Sequence, residues 1–406
     1  MKLLYVTAEM PYGSGEVFII EEIRELLRRG HDVRVVPRSP GAMAPHAPDL
    51  MPATIREPLV SKAVWKAAAP QLPRRLRSIS RVLRGGARDS WKNAAVVPKA
   101  LWLARLAAES GTNHIHCHWA GTTATMAMLA AEIAGVPWSF TAHRSDIAGN
   151  NLLAEKVRSA RFARVISHSG VQMMMARGVP ASPKIRVLHL GVRLPSVPPQ
   201  PAVARPPVVL CPADFLPVKG HRYLMDAWRI FESRGMAGEL WLVGRGDARS
   251  VIEKPPANVK VVGELNNPAL LDLYRTGAIA ATVLASIDLG NGEHEGIPAA
   301  LMEAMSFAVP VVATNTGGIP ELVTRGSGLL VREKNPAALA DAIAAVVGNP
   351  ELAAQLGRAG RRRVAEAFDV TEIASQLEGW FEATCPTTQN NQRDRSLTLP
   401  AQKRTC

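Results

Sequence analysis

The chain opens on an apolar run, Leu3-Leu4-Tyr5-Val6, and breaks at Pro11-Tyr12-Gly13-Ser14-Gly15. It resumes with Val17, Ile20, Ile23 and Leu27 at the spacing of one helix face, which stops at Gly30. His31 to Val36 then reads as a second strand, completing a βαβ unit whose crossover must be right-handed. In such a unit ligands gather at the carboxyl edge of the sheet, where the turn Gly13-Ser14-Gly15 lies. The pattern recurs in strands at His114 to His118, Trp138 to Thr141 and Val165 to Ser167, with a helix at Thr123 to Ala134. Six prolines crowd into residues 195–207, the mark of a linker. A second series of strands follows at 208–211, 239–243, 259–262, 278–284, 309–313 and 329–331, with helical patterns between. Two doubly wound α/β domains facing across a cleft are expected, 1–195 and 208–368, joined by a linker at 196–207. An amphipathic helix at 369–384 follows them, and the polar, aperiodic stretch 385–406 is expected to be disordered.

A chain of 406 residues has room for two such cores. The four cysteines, Cys117, Cys211, Cys385 and Cys406, have neither metal nor framework spacing, so a reducing cytoplasmic setting without structural disulfides is expected. The first residues lack the apolar core and cleavage site of a signal peptide, and no uninterrupted run reaches membrane-spanning length. Charge changes the picture in one place. The net charge is +13, and residues 58–108 carry eleven Lys and Arg side chains against the single acid Asp89. Trp65, Trp91 and Trp102 are interleaved with those cations, a combination suited to an anionic membrane surface, so peripheral attachment to the inner face of a membrane is expected. Nucleic acid is the rival partner, but no nucleic-acid motif accompanies the basic segment and none is expected to bind.

The most specific chemistry lies in Glu295-Gly296-Ile297-Pro298-Ala299, followed eight positions after Glu295 by Glu303, and then by Pro310 to Thr314 and Gly317-Gly318-Ile319-Pro320-Glu321. Pro298 suits a first helical position, so Gly296 and Ile297 lead into a helix whose amino end favours a diphosphate. With no N–H on Pro298, a phosphate there relies on the amides of Ile297 and Ala299. Glu295 ahead of the helix and Glu303 one to two turns in are placed to touch one elongated ligand at two points, and a carboxylate accepts from vicinal hydroxyls. These residues resemble the E-x7-E signature of retaining, nucleotide-sugar-dependent glycosyltransferases of family 4. Ser14 to Ile19, His114 to Trp119 and Phe140 to Asp146 are most similar to members that assemble exopolysaccharides and colanic acid.

The resemblance covers residues 1 to about 383. It implies the GT-B fold, two Rossmann-like domains across a cleft with the C-terminal helix packing back toward the first. It implies a UDP- or GDP-hexose donor, a glycan or lipid-linked acceptor and a metal-independent front-face transfer without a cofactor; no Asp-x-Asp pair of the metal-diphosphate kind occurs in the chain. Glu303 would bind the donor ribose, Glu295 the transferred sugar, and Lys219 the diphosphate. Gly13, Ser14 and Gly15 would border the donor phosphate and the acceptor, and His143 would meet the sugar being transferred. The family pairs its lysine with an arginine five positions earlier, where this chain has Asp214. Arg245, in Gly244-Arg245-Gly246-Asp247, or Arg144 would then supply the second cation, unless the pocket is arranged differently. His114, His116 and His118 alternate on one strand face, a set that fits a metal but more simply a packed strand, since no carboxylate or cysteine partner is evident nearby. A dehydrogenase is disfavoured because Gly13 and Gly15 lack the third glycine of the dinucleotide turn. An epimerase-like enzyme of the same fold and a non-enzymatic basic binding protein are the alternatives.

Overall fold

A computed structural model describes the chain except residues 13, 42–45, 85–86, 197–205, 249–251, 253, 291–292 and 385–406. The disorder expected for 385–406, and most of the proline linker, therefore lie outside the described residues. Two six-stranded sheets form, and every pairing within them is parallel. The first has the order β2-β1-β3-β4-β5-β6, from β1 (Lys2–Thr7), β2 (Asp32–Pro37), β3 (His114–His118), β4 (Trp138–Ala142), β5 (Phe162–Val165) and β6 (Ile185–Val187). The second has the order β12-β11-β10-β7-β8-β9, from β7 (Val208–Pro212), β8 (Glu239–Val243), β9 (Val259–Gly263), β10 (Ala281–Leu284), β11 (Val311–Thr314) and β12 (Leu329–Val331). In each sheet the order reverses beside the first strand, and that switch point opens a crevice at the carboxyl edge. β1, β3, β4, β5, β7, β10 and β11 are buried almost throughout, as parallel strands covered by helices on both faces must be.

Two strands depart from the sequence expectation. The strand expected at Val165 to Ser167 is β5 at Phe162–Val165, because Ser167 caps the next helix, its hydroxyl accepting the Gly170 amide at 3.0 Å. β6 has three partly exposed residues and carries no apolar run to mark it.

The C-terminal helix Val370–Glu382 leaves the second unit and packs on the first. Ile373, Leu377 and Phe381 join the cluster of Leu3, Tyr5, Ile23 and Leu26, and Glu378 binds Arg29 at 2.6 Å and His31 at 2.8 Å. A short bridge, Val192 to Asp369, ties the two crossings. The GGIPE turn adds a second tie: Glu321 accepts the amides of His168 (2.7 Å) and Ser169 (2.9 Å), which begin a helix of the first unit. Among the described residues no single helix is long and apolar enough to cross a membrane.

Candidate active site in the interdomain cleft

The second sheet builds one wall. The helix Ala299–Ser306 follows Pro298, which is its cap and not its first residue; the carbonyl of Pro298 takes the amides of Leu301 (3.1 Å) and Met302 (3.3 Å). Ile297 is buried beneath the helix start, and Gly296 has open space where a side chain would be. Glu295 reaches back, its carboxylate accepting from Lys219 Nζ at 2.5 Å and Ser286 Oγ at 3.0 Å. Lys219 is delivered by Gly220, whose φ of +65° and close approach to the Ala285 carbonyl at the end of β10 leave no room for a Cβ. Gly317 does the same for the GGIPE turn: with φ +56°, any side chain would run into the carbonyl of Glu295. The glycines thus fix Lys219 and Glu295 against one another.

Glu303 lies one turn into the same helix and lines a cavity of about 610 Å³ between the two units, together with Phe18, Arg24, Arg193, Asn267 and Pro268. Asn267 donates to its carboxylate at 2.7 Å. Burial pushes the Glu303 carboxyl up to about 7, against the lowering effect of that hydrogen bond. Arg193, which stands after Gly191-Val192, is not a loose cation but holds Glu21 at 2.6 Å.

Asp214 and Arg245 come together. The Asp214 carboxylate accepts the Arg245 amide at 2.9 Å and its guanidinium at 2.6 Å. Burial opposes ionisation of Asp214, but the Arg245 contacts outweigh it and hold the carboxyl below its usual range. The residue that departs from the family pattern therefore orients the cation expected to replace the missing arginine. Arg144 heads the Arg144–Gly149 helix beside His143, on the first-unit side.

The first sheet builds the facing wall. His143 follows β4 and caps that helix, its own amide donating to Asp146 Oδ1 at 2.7 Å. It is buried between Phe18 (ring centroids 5.1 Å) and Trp119 (4.4 Å), and burial, then His118, hold its imidazole neutral well below the usual histidine range. Ser14 and Gly15 fall in a short 3₁₀ turn, Ser14–Ile19, while Gly13 lies outside the described residues.

Sequence reasoning missed what supports this wall. Glu16 is buried and its carboxylate gathers the amides of Ala8 (2.9 Å), Glu9 (2.7 Å) and Met10 (2.7 Å) and the indole N–H of Trp119 (2.5 Å), so it organises the whole β1 turn. Glu22 does find the histidine strand. It lies with His116 and His118 near enough for a ligand atom of each to fall within 4.8 Å of the others. The triad is nevertheless committed: Arg164 pairs with Glu22, and both nitrogens of His116 are bonded, to Ser139 at 2.7 Å and Thr141 at 3.0 Å. The packed-strand reading fits these contacts. In sequence, Glu22 is one more acid of an amphipathic helix, and nothing local marks it.

Two Rossmann-like units facing across a cleft, with a lysine and two carboxylates on one wall and a buried histidine on the other, have the architecture of the GT-B class of glycosyltransferase. Residues 15–194 match the family model "Glycosyltransferase Family 4" and residues 197–363 match "Glycosyl transferases group 1". The chain belongs to the family 4 glycosyltransferases. It is 27% identical over 372 residues to the amylovoran biosynthesis glycosyltransferase AmsK of Erwinia amylovora, covering 84% of this chain and 89% of AmsK. WcaL of Salmonella typhimurium, a glycosyltransferase assigned to colanic acid biosynthesis, is 26% identical over 412 residues, covering 93% of this chain and 98% of WcaL. Among solved structures, Anabaena Alr3699/HepE in complex with UDP-glucose has the same fold, with a TM-score of 0.68 at 17% identity over 94% of this chain and 100% of that one.

Proposed function

We propose that the protein transfers a hexose from a UDP- or GDP-sugar to a hydroxyl of a glycan or lipid-linked acceptor, with retention at the anomeric carbon and without a metal, in exopolysaccharide or cell-envelope glycan synthesis. The observation that carries this is the Lys219–Glu295 pair at the start of the Ala299–Ser306 helix, with Glu303 opening into the interdomain cavity one turn further on. Glu295, the helix start and Glu303 follow one another in the order in which a donor would present sugar, diphosphate and ribose. The biosynthetic setting rests on the relatives of amylovoran and colanic acid assembly.

In the donor-free enzyme Lys219 and Glu295 neutralise each other. An incoming diphosphate draws Lys219 and the helix-terminal amides of Ile297 and Ala299, and releases Glu295 to accept from the sugar hydroxyls. Arg245, aimed by Asp214, adds the second cation. Glu303 takes the ribose hydroxyls as a carboxylate. As the bond from the anomeric carbon to the phosphate oxygen breaks, the acceptor oxygen bonds to that carbon from the same face, and its proton passes to the leaving phosphate oxygen. His143 accepts from a sugar hydroxyl and steadies the positive charge that develops on the ring.

A thermal-shift series in EDTA with UDP, GDP, ADP and dTDP tests the donor site. A diphosphate at 100 times its dissociation constant adds about 2.7 kcal/mol of stability. One base is expected to stand out and Glu303→Ala to abolish its shift; equal shifts in wild type and Glu303→Ala would remove the assignment.

The basic segment supports an anionic membrane partner for the same reaction. Trp65 (46% exposed) and Leu76 (65%) stand outside on short helices that also expose Lys62, Lys66, Arg74, Arg75 and Arg77, and Trp91 (64%) stands outside near the start of the long helix Ala87–Ser110. Lys99 does not belong to that surface; it is buried and donates to the carbonyls of Pro37, Arg38 and Glu57 at 2.6 to 2.9 Å. Co-sedimentation with anionic vesicles at low salt, lost in Trp65→Ser/Trp91→Ser, is the expected result, and no pelleting of the wild type would sink the reading.

A further inference from the structure

Trp119 follows β3 in a conformation that its side chain does not favour. Its φ is +74°, in the left-handed region where a Cβ crowds the backbone and glycine alone is unstrained. The fold holds it there from several sides. The Trp119 amide donates to the Thr141 carbonyl at 3.0 Å, the Ala120 amide donates to Asp146, and the buried Lys156 draws in the carbonyls of Ala120 (2.7 Å) and Gly121 (2.8 Å). The side chain is tied as well, its indole N–H donating to Glu16 at 2.5 Å. Glu16 is itself fixed by three amides of the turn after β1, so it sets the angle of the indole.

Packing does not explain this arrangement. Trp119 remains partly exposed and joins none of the three apolar clusters of the described residues. A core position could be filled by an unstrained side chain, and a tight turn by glycine. A strained residue persists only where its surroundings over-determine it, and such residues gather at ligand sites. The place is the cleft. The ring lies against His143 and meets Phe18 edge-on, with centroids 6.0 Å apart, and Phe18 lines the interdomain cavity and packs on the core of the second unit.

We infer that Trp119 is the stacking platform for the acceptor: a rigid indole on the first-unit wall that takes the C–H face of a hexopyranose and so presents a hydroxyl of that ring to the cleft. The inference rests on the transferase reading above and assigns a residue to its second substrate. The sugar concerned is the acceptor because Lys219, Glu295 and Glu303, the groups assigned to the donor, all stand on the second-unit wall, which leaves the facing wall for the acceptor. A pyranose carries polarised C–H bonds on its flat faces, and they are drawn to the electron-rich face of an aromatic ring, of which indole is the largest in a protein. An indole fixed in advance also avoids the ordering that a mobile one would undergo on binding.

Binding of simple glycosides tests this without turnover. The full chain, its eight tryptophans replaced by 5-fluorotryptophan, is titrated with methyl α-D-glucoside, α-D-galactoside and α-D-mannoside, with and without UDP or GDP. The Trp119 fluorine signal, identified by its loss in Trp119→Phe, is expected to shift with at least one of the three, while those of Trp65, Trp91 and Trp102 in the basic segment stay in place. Proton saturation transfer reads the same contact from the sugar. The C–H protons of one ring face are expected to saturate most, and the effect to fall about tenfold in Trp119→Gly, the factor that an aromatic contact of about 1.4 kcal/mol is worth. Glycine fits this φ without strain, so the variant should melt within about 4 °C of the wild type and keep its stabilisation by UDP or GDP. A Trp119 signal that none of the three glycosides moves, or saturation that survives in Trp119→Gly, overturns the inference. A fall in melting temperature that accompanies the lost saturation would show a packing role only, and lost nucleotide stabilisation would put the ring in the donor site; either result overturns it too. Should Trp119→Gly not fold, Trp119→Asn, which also tolerates a left-handed φ, takes its place. If neither nucleotide stabilises the wild type, the transferase reading fails, while the titration without nucleotide still tests the platform.

Discussion

The Glu303 carboxyl, raised to about 7 by burial at the edge of the interdomain cavity, makes donor binding a function of pH. If only the carboxylate accepts the ribose hydroxyls, apparent affinity scales with the ionised fraction, about one part in eleven at pH 6 and ten in eleven at pH 8. Affinity for an intact nucleotide sugar, whose diphosphate does not titrate in this range, is expected to rise about tenfold between those values. Titration calorimetry with UDP-glucose and GDP-mannose reads it, in a His46→Gln background because His46 lines the same cavity. Glu303→Gln supplies the converse test. A carboxyl whose folded value lies above its unfolded one binds more protons folded than unfolded, so its contribution to stability is lost as pH rises from the ordinary glutamate range to about 7. Removing the charge should therefore stabilise the empty enzyme at pH 8, by on the order of 3 kcal/mol at most, while weakening donor binding at least tenfold. A variant that is both more stable and a poorer binder is the signature of a carboxylate kept for function. Affinity that stays level from pH 6 to pH 8, or a Glu303→Gln protein destabilised at pH 8, would refute the reasoning.

Three further outcomes follow from named contacts. Lys219→Met leaves the Glu295 carboxylate with Ser286 alone among the described residues and removes the main cation for the leaving diphosphate; kcat is expected to fall at least a hundredfold, and equal turnover would place the phosphate elsewhere. Asp214→Asn loosens Arg245 without removing it, so diphosphate affinity by thermal shift should drop several-fold, about 1 kcal/mol, and Asp214→Arg should restore it by returning the family's cation; weaker binding still in Asp214→Arg would deny the substitution of one arginine for the other. Glu321→Gln weakens charge-assisted caps on the His168 and Ser169 amides, and protection of those amides from hydrogen exchange should fall while the β3 and β10 amides keep theirs. A uniform loss across both sheets would mean that Glu321 serves global stability instead.

What the sequence determined by itself is what depends on neighbours in the chain. Strands such as Leu3 to Val6 and Val208 to Cys211 are continuous apolar runs because both their faces are covered, and the helices between them show their period directly. The order of Glu295, Gly296, Pro298 and Glu303 was legible because one helix start and one turn of helix fix their relative positions. β6 was not, having only three partly exposed residues, and the end of β5 was misplaced because the capping role of Ser167 outweighs the apolar pair Val165-Ile166. The tertiary structure alone decided which distant groups meet. It joins Glu22 to His118 across 96 residues, Lys219 to Glu295 across 76 and Glu321 to His168 across 153. It also withdraws Lys99 from the basic surface and turns Asp214 from a gap in the phosphate clamp into the anchor of Arg245. The physical reason is the same throughout: helix and strand periods act over a few residues, whereas burial, ion pairing and long-range hydrogen bonding depend on the other elements that the sheet order brings alongside.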